Sequence, residues 1–170
     1  MNLAMAFDFH DIFVMSKESW VKAFKEFEDS EESLRLLEQG TSRKKIAEML
    51  NIDYNKVIRK YREYLEPIKE NISFLKHIST DYDTYLVSHS SKERLMMDLE
   101  KFNLFNYFKD IFSSEEFENL SQILNEIISL GKYDKLIFFN HEDKNFEEGK
   151  VIYTSIDFKL KYLNKDKLIK

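Results

Sequence analysis

AMAFDFH, at residues 4–10, is a short apolar run that ends in polar side chains, and TYLVSH at 84–89 and LIFFNH at 136–141 repeat its form. Apolar runs of about four to eight residues that alternate with helical patterns are typical of buried strands in a parallel sheet. Ligands bind such sheets in the crevice outside the carboxyl ends of the strands. The pattern therefore predicts an α/β fold with one candidate site, where each run ends in a polar residue followed closely by a histidine. The polar residues are Asp8, Ser88 and Asn140, and the histidines are His10, His89 and His141.

Composition excludes several classes of protein. The 170 residues carry a net charge of −5 and include no cysteine. Disulfides and thiolate catalysis are therefore excluded, and the net charge gives no general reason to bind nucleic acid or an anionic membrane. No stretch approaches the roughly 18 apolar residues of a membrane span, and no basic region precedes an apolar one at the N-terminus. We expect a cytoplasmic protein with no membrane partner.

Helical periodicity dominates the segment after the first run. Residues 16–75 place apolar side chains such as Trp20, Phe24 and Phe27 at helical spacing, which predicts an all-helical insert. Strand and helix patterns alternate from residue 84 onward. The predicted elements are strands at 84–88, 136–140 and 151–157, a short apolar run at 110–112, helices at 91–103 and 115–130, and a short helix at 143–149.

A helix start directly follows the second run. Ser90-Ser91-Lys92-Glu93 fits a capping box, with Ser90 as the N-cap and Glu93 three residues on. Backbone N–H groups at a helix N-terminus suit a phosphate or a carboxylate. Any strand-to-helix turn in an α/β protein has such a cap, so the capping box alone does not indicate an anion site. It does so only together with the polar residues at the neighbouring strand ends.

Three motifs, in order, resemble those of the haloacid dehalogenase superfamily, whose members are mostly phosphatases and related hydrolases. AFDFHD at 6–11 resembles the first motif, YLVSHSS at 85–91 the second, and LIFFNHED at 136–143 the fourth. The helical insert at 16–75 corresponds to the cap domain that many members carry. The resemblance implies a Rossmann-like parallel sheet, with the core at 1–15 and 76–170 and an inserted all-helical cap.

The resemblance also implies roles for three residues. Asp8 holds the position of the nucleophile that forms an aspartyl-phosphate. His10 replaces the second Asp of the first motif, and an imidazole can also act as a general acid and base. Ser88 would donate its hydroxyl to a phosphoryl oxygen. The implied substrate is a small phosphorylated metabolite or nucleotide.

Two positions depart from the family pattern. The helix that precedes the fourth strand lacks the expected lysine, since residues 117–120 read FENL, and Lys132 is the nearest candidate to replace it. Asn140 and His141 stand where carboxylates would bind Mg²⁺, which prefers hard oxygen ligands. Asp143 follows in the same loop.

These departures leave two interpretations open. In the first, histidines join Asp8 in a divalent-metal site that takes Mn²⁺, Fe²⁺ or Zn²⁺ in preference to Mg²⁺. The metal ligands that we predict are Asp8, His141 and Asp143. In the second, turnover is lost and the pocket binds a phosphorylated ligand or a protein partner. The ligand-binding residues that we predict are His89, Ser90, Asn140 and Lys132.

A third interpretation concerns TSRKKIAEMLNIDYNKVIRKYR at 41–62, which resembles a helix-turn-helix. It has seven basic residues against Glu48 and Asp53, a local charge of about +5 that suits nucleic acid phosphates. A helical cap also needs two helices joined by a tight turn, and a position between core strands favours that explanation, so nucleic acid is not the partner that we expect. A homo-oligomer is the other partner considered, through the aromatic cluster Phe102, Phe105, Tyr107 and Phe108.

Overall fold

The computed structural model describes residues 1–27, 30–142 and 144–156. Within these ranges, a sheet of six strands is accompanied by seven α-helices. The strands are β1 (Leu3–Phe7), β2 (Asp83–Val87), β3 (Asp110–Phe112), β4 (Lys135–Asn140), β5 (Phe146–Glu148) and β6 (Val151–Ser155). The helices are α1 (Ser16–Phe24), α2 (Ser30–Glu38), α3 (Arg43–Met49), α4 (Tyr54–Tyr64), α5 (Lys69–Ile78), α6 (Lys92–Phe102) and α7 (Leu120–Gly131).

The strand order is β3-β2-β1-β4-β6-β5, and every neighbouring pair is parallel except β5 and β6. All five residues of β1 are buried. A central parallel strand must be apolar on both faces, which is why AMAF shows no alternation of polar and apolar residues. The predicted α/β fold with a mostly parallel sheet is confirmed.

The chain divides into two compact units, Met1–Phe13 with Pro67–Lys170, and Val14–Glu66. The first is the α/β unit. In its core, Phe7 stacks on Phe139 with ring centroids 4.8 Å apart, and Phe74 of α5 meets Phe139 edge-on at 5.5 Å. Phe108, from the predicted aromatic cluster, is buried and lies 6.0 Å from Phe13, so it belongs to this core.

The second unit is helical. Trp20 of α1 stacks on Tyr61 of α4 at 4.1 Å, and Arg43 lies 5.7 Å over the Trp20 ring. The segment at 41–62 forms two helices joined by a turn, α3 and α4, with Ile46 and Val57 buried. Packing within the unit therefore accounts for the apolar positions of this segment. Among the described residues, no helix is long and apolar enough to cross a membrane.

The predicted helix at 143–149 is wrong. Phe146–Glu148 is a strand, β5, which forms an antiparallel hairpin with β6. Gly149 has φ of 58°, a left-handed conformation that suits a tight hairpin turn. The Asn145 side chain accepts hydrogen bonds from the Thr154 hydroxyl and the Ser155 N–H, both at 3.1 Å, and holds the chain before β5 beside β6.

Two other predicted boundaries change. The helix expected from residue 115 begins at Leu120, because the Asn119 side chain caps it by accepting from the Gln122 N–H. The last strand ends at Ser155 rather than at residue 157, which lies outside the described ranges. Helix α5, whose start fell within the predicted insert at 16–75, belongs to the α/β unit.

Candidate functional site

Three predicted site residues meet at the carboxyl edge of the sheet. Asp8 follows β1, Ser88 follows β2, and Asn140 is the last residue of β4. The strands lie side by side in register, with Phe7 of β1 opposite Leu86 and Phe139. The Asp8 N–H continues the ladder by donating to the Phe139 carbonyl at 3.0 Å. Asp8 therefore sits between the ends of β2 and β4.

Asp8 forms an ion pair with His141. The His141 Nδ1 lies 2.8 Å from Asp8 Oδ2, while Asp8 Oδ1 accepts a hydrogen bond from the Phe9 N–H at 2.7 Å. The hydrogen bond to Asp8 raises the pKa of His141 above its usual value, and Asp11 and Glu142 act in the same direction. The Asp8 side chain is 15 % exposed and that of His141 is 45 % exposed. The site thus holds a carboxylate beside an imidazole that favours its cationic form.

His10 has partners on both ring nitrogens. Its Nε2 lies 2.9 Å from Asp98 Oδ2, and its Nδ1 lies 3.0 Å from the Ser90 hydroxyl oxygen. Burial lowers the pKa of His10, so the neutral ring is favoured near pH 7. A carboxylate can only accept, so the neutral ring carries its proton on Nε2 and leaves the Nδ1 lone pair to accept from Ser90.

Ser90 is available to His10 because the helix cap is one residue later than predicted. Ser91 is the N-cap of α6, and its hydroxyl accepts from the Arg94 N–H at 3.4 Å. The Ser90 N–H donates instead to the Ser88 hydroxyl oxygen at 3.2 Å. Ser88 is buried, and its hydroxyl oxygen accepts a hydrogen bond within this turn.

Sequence reasoning missed Asp98. This carboxylate is only 1 % exposed and lies on α6 between the buried Leu95 and Leu99. Arg94, one turn earlier, places its Nε 3.9 Å from Asp98 Oδ2. A charged residue on the apolar face of a predicted helix was the available signal, because such a residue is rarely buried without a partner.

Asn140 is oriented by carbonyl groups. Its amide nitrogen donates to the Thr154 carbonyl at 3.0 Å and to the Lys144 carbonyl at 3.3 Å. These acceptors fix which end of the amide is nitrogen. The Asn140 Oδ1 atom is buried and has no hydrogen-bond partner within the described part of the chain.

Among the comparisons with known proteins, those with solved structures identify the fold. No protein-family profile matches the sequence, and no curated protein matches it. Solved structures do match. A hydrolase from Streptococcus pneumoniae TIGR4 has a TM-score of 0.63 at 17 % identity, covering 94 % of this chain and 96 % of that chain. A HAD-superfamily hydrolase of subfamily IA, variant 1, from Geobacter sulfurreducens PCA has a TM-score of 0.62 at 17 % identity, covering 84 % and 79 %. A haloacid dehalogenase-like family hydrolase from Xanthomonas campestris has a TM-score of 0.58 at 15 % identity, covering 85 % and 75 %.

The chain has the haloacid dehalogenase fold. Identities this low establish the fold and not the activity. Within this fold, the predicted first, second and fourth motifs are the ends of β1, β2 and β4, which the sheet order brings together.

Two predicted ligand-binding residues of this haloacid dehalogenase-like chain are placed elsewhere. Lys132 follows α7, and its carbonyl accepts from the side chain of Asn2, which precedes β1. Lys132 therefore lies at the amino edge of the sheet, opposite Asp8. His89 is exposed and packs edge-on against Phe117, with ring centroids 5.3 Å apart.

The donors at the haloacid dehalogenase motif positions do not fit Mg²⁺. Asp8 has an imidazole as its neighbour, and Asn140 offers a single amide oxygen. Within residues 1–27, 30–142 and 144–156, no group of three or more His, Cys, Asp or Glu side chains lies close enough to hold a metal ion. Asp143, the third predicted ligand, lies outside the described residues. The site with Asp8, His141 and Asp143 as metal ligands stays a prediction.

Proposed function

We propose that the carboxyl edge of the sheet binds a small phosphorylated metabolite or nucleotide and hydrolyses it slowly through Asp8. The Asp8–His141 pair carries this proposal, because it places a carboxylate nucleophile 2.8 Å from an imidazole whose pKa is raised, at the end of a central strand. When protonated, this imidazole would offset the negative charge of a phosphate group, as a metal ion or a lysine does in other sites. The buried Ser88 and the start of α6 lie at the same edge of the sheet.

The proposed reaction has two steps. An Asp8 carboxylate oxygen attacks phosphorus, the bond from phosphorus to the leaving oxygen breaks, and an aspartyl-phosphate forms. Water then hydrolyses that intermediate and releases inorganic phosphate. Turnover is expected to be slow because His10, at the general-acid position, has both ring nitrogens engaged by Asp98 and Ser90. The lysine expected in the helix before β4 is absent, and Lys132, the nearest candidate to replace it, lies at the other edge of the sheet.

The engagement of both ring nitrogens of His10 favours a second candidate function, which is binding without hydrolysis. With its Nε2 proton directed at Asp98, the neutral His10 has no proton to give directly to a leaving group. A chain with this fold would then retain a phosphorylated ligand or a protein partner at the edge, without turnover. The helical unit keeps its predicted role as a cap in both cases.

Phosphate release separates the two functions. The parent protein and Asp8→Asn would be assayed with nucleotides, sugar phosphates and p-nitrophenyl phosphate, each with Mg²⁺, Mn²⁺, Zn²⁺ or a chelator. Asp110→Asn is the matched control, since it also removes one carboxylate, and Asp110 is exposed at the start of β3, at the opposite edge of the sheet. We expect release by the parent and by Asp110→Asn, and a loss of about hundredfold or more in Asp8→Asn.

Release that persists in Asp8→Asn would contradict the hydrolytic proposal. No release under any condition would leave the binding function, which thermal shift with the same ligands would then measure. Neither release nor a shift would contradict both functions.

A further inference from the structure

We propose that Ser90 is a nucleophile toward small carboxylic esters, with His10 as its base and Asp98 as the residue that orients His10. This activity is separate from the phosphate chemistry proposed for Asp8. It would make the turn between β2 and α6 a second reactive centre in the α/β unit.

A continuous chain of hydrogen bonds supports the proposal. The Ser90 hydroxyl oxygen lies 3.0 Å from His10 Nδ1, and His10 Nε2 lies 2.9 Å from Asp98 Oδ2. A nucleophile in contact with a base, which a third group orients in turn, is the arrangement that activates a serine hydroxyl. Ser90 lies in the turn before α6 and Asp98 in α6 itself, whereas His10 is 80 and 88 residues from them in sequence, so local sequence proximity does not explain why His10 meets both.

The buried carboxylate fixes the direction of proton transfer. Asp98 is almost fully buried and accepts from His10 Nε2, with Arg94 as a second, more distant partner. The Nδ1 lone pair of the neutral ring then faces the Ser90 hydroxyl. A base that accepts the hydroxyl proton is therefore already in place, and Asp98 would stabilise the imidazolium that forms.

The backbone holds Ser90 at a fixed position in a strand-to-helix turn. Its N–H donates to the Ser88 hydroxyl oxygen at 3.2 Å, and its carbonyl accepts from the Ser114 N–H at 3.0 Å. Serine nucleophiles of α/β hydrolases occupy a similar turn between a strand and a helix at the carboxyl edge of a sheet. Ser90 is half-buried, so one side of this turn is accessible to solvent.

The carboxylate behind His10 favours an ester over a phosphate as the substrate of Ser90. A phosphate monoester is an anion, and the chain of residues that activates Ser90 ends in a buried carboxylate, Asp98. A carboxylic ester is neutral and reacts with an activated serine without a metal ion or a lysine. The absence of the lysine and of the metal-binding carboxylates is expected to slow phosphoryl transfer. It therefore does not limit acyl transfer.

The reaction balances with water as the second substrate. The Ser90 oxygen bonds to the carbonyl carbon while its proton passes to His10 Nδ1, and the carbonyl electron pair moves onto the carbonyl oxygen. When the pair returns, the bond to the alcohol oxygen breaks and that oxygen takes the proton from His10. Water then attacks the acylated Ser90 by the same route, which releases the carboxylic acid and restores the serine hydroxyl.

Covalent labelling of the full chain tests the proposal. A fluorophosphonate probe would be reacted with the protein and the labelled residue located by mass spectrometry, and hydrolysis of p-nitrophenyl acetate would be measured in parallel. We expect the label on Ser90, and a loss of labelling together with at least a hundredfold fall in ester hydrolysis in Ser90→Ala. Ser91→Asn is the matched control, because it removes the adjacent hydroxyl and keeps a good N-cap residue.

Asp98→Asn tests the orienting role. We expect kcat for p-nitrophenyl acetate to fall at least tenfold with little change in KM, while the thermal unfolding curve shows that the variant is folded. A label on another residue, or ester hydrolysis that is unchanged in Ser90→Ala, would overturn the proposal. Loss of phosphate release in Asp8→Asn and loss of labelling in Ser90→Ala are separate results, so either activity can fail alone.

Discussion

At the scale of single residues, His141 makes the stability of the fold depend on pH. Its imidazole pairs with Asp8, and this hydrogen bond raises the pKa of His141 in the folded protein. A histidine with a raised folded pKa stabilises the fold fully below its unfolded pKa of about 6.5. The stabilisation is lost as pH rises through the higher folded value.

We therefore expect the free energy of unfolding of the parent to exceed that of His141→Gln by more at pH 6 than at pH 9. The difference should stay below about 1 kcal/mol, because the imidazole is nearly half-exposed and water screens the pair. Urea denaturation across this pH range measures it. The lowered pKa of His10 also makes stability depend on pH, but both proteins share that effect and it cancels in the difference.

His77→Gln is the control, since it removes a histidine that is exposed on α5. We expect this variant to follow the parent across the pH range. A constant difference between His141→Gln and the parent from pH 6 to pH 9 would show that the Asp8–His141 pair does not form in solution.

At the scale of elements, α5 anchors the loop that follows Asp8. The Asn71 side chain is buried and donates to the carbonyl of the fully buried Ile12 at 2.7 Å. Asn71→Leu keeps a similar volume but leaves that carbonyl without its donor. We expect the free energy of unfolding to fall by about 1–3 kcal/mol, the usual cost of an unsatisfied buried polar group.

The matched control is Asn125→Leu on α7, where the asparagine is exposed and donates to the Ser121 carbonyl of the same helix. This change should alter stability by no more than about 0.5 kcal/mol. Urea midpoints with unchanged slopes measure both variants. Equal effects of the two substitutions would exclude α5 as the anchor of the loop.

The elements that the sequence predicted best are those whose pattern reflects burial alone. The strands β1, β2 and β4 read as unbroken apolar runs because neighbouring strands and helices cover both faces. The carboxyl edge with Asp8, Ser88 and Asn140 followed from these runs and from the parallel order. The helix predicted at 143–149 failed because a three-residue strand with exposed side chains has no burial pattern to read.

The least predictable part of the site is its hydrogen bonding. The capping box in the sequence favoured Ser90 as the N-cap, whereas in the structure Ser91 caps α6 and Ser90 contacts His10. The local pattern can place Asp98 on the apolar face of α6, but it does not report that His10 is its partner. Lys132 was placed wrongly in sequence reasoning because closeness to β4 along the chain does not say which edge of the sheet is near.

At the scale of the whole molecule, a backbone hydrogen bond joins the two chain ends of each unit. In the α/β unit, the Ile68 N–H donates to the Phe13 carbonyl at 2.8 Å, so the chain ends on either side of Val14–Glu66 are adjacent. In the helical unit, the Met15 N–H donates to the Glu66 carbonyl at 2.9 Å. Each unit thus has its own chain ends side by side, which is the geometry of an inserted domain.

We expect the α/β unit to fold after residues 14–66 are replaced by a linker of about three residues, a length that spans the gap between Phe13 and Pro67, which the Ile68–Phe13 hydrogen bond holds close. Deleting 16–75 instead, the insert predicted from periodicity, removes most of α5 and with it Phe74, which packs 6.2 Å from Phe7 and 5.5 Å from Phe139. That deletion should abolish cooperative unfolding, because it exposes the aromatic core behind β1. Circular dichroism and thermal unfolding of the two deletion variants measure the difference. Cooperative unfolding of both would place α5 outside the folding core, and unfolding of neither would show that the α/β unit needs the helical unit to fold.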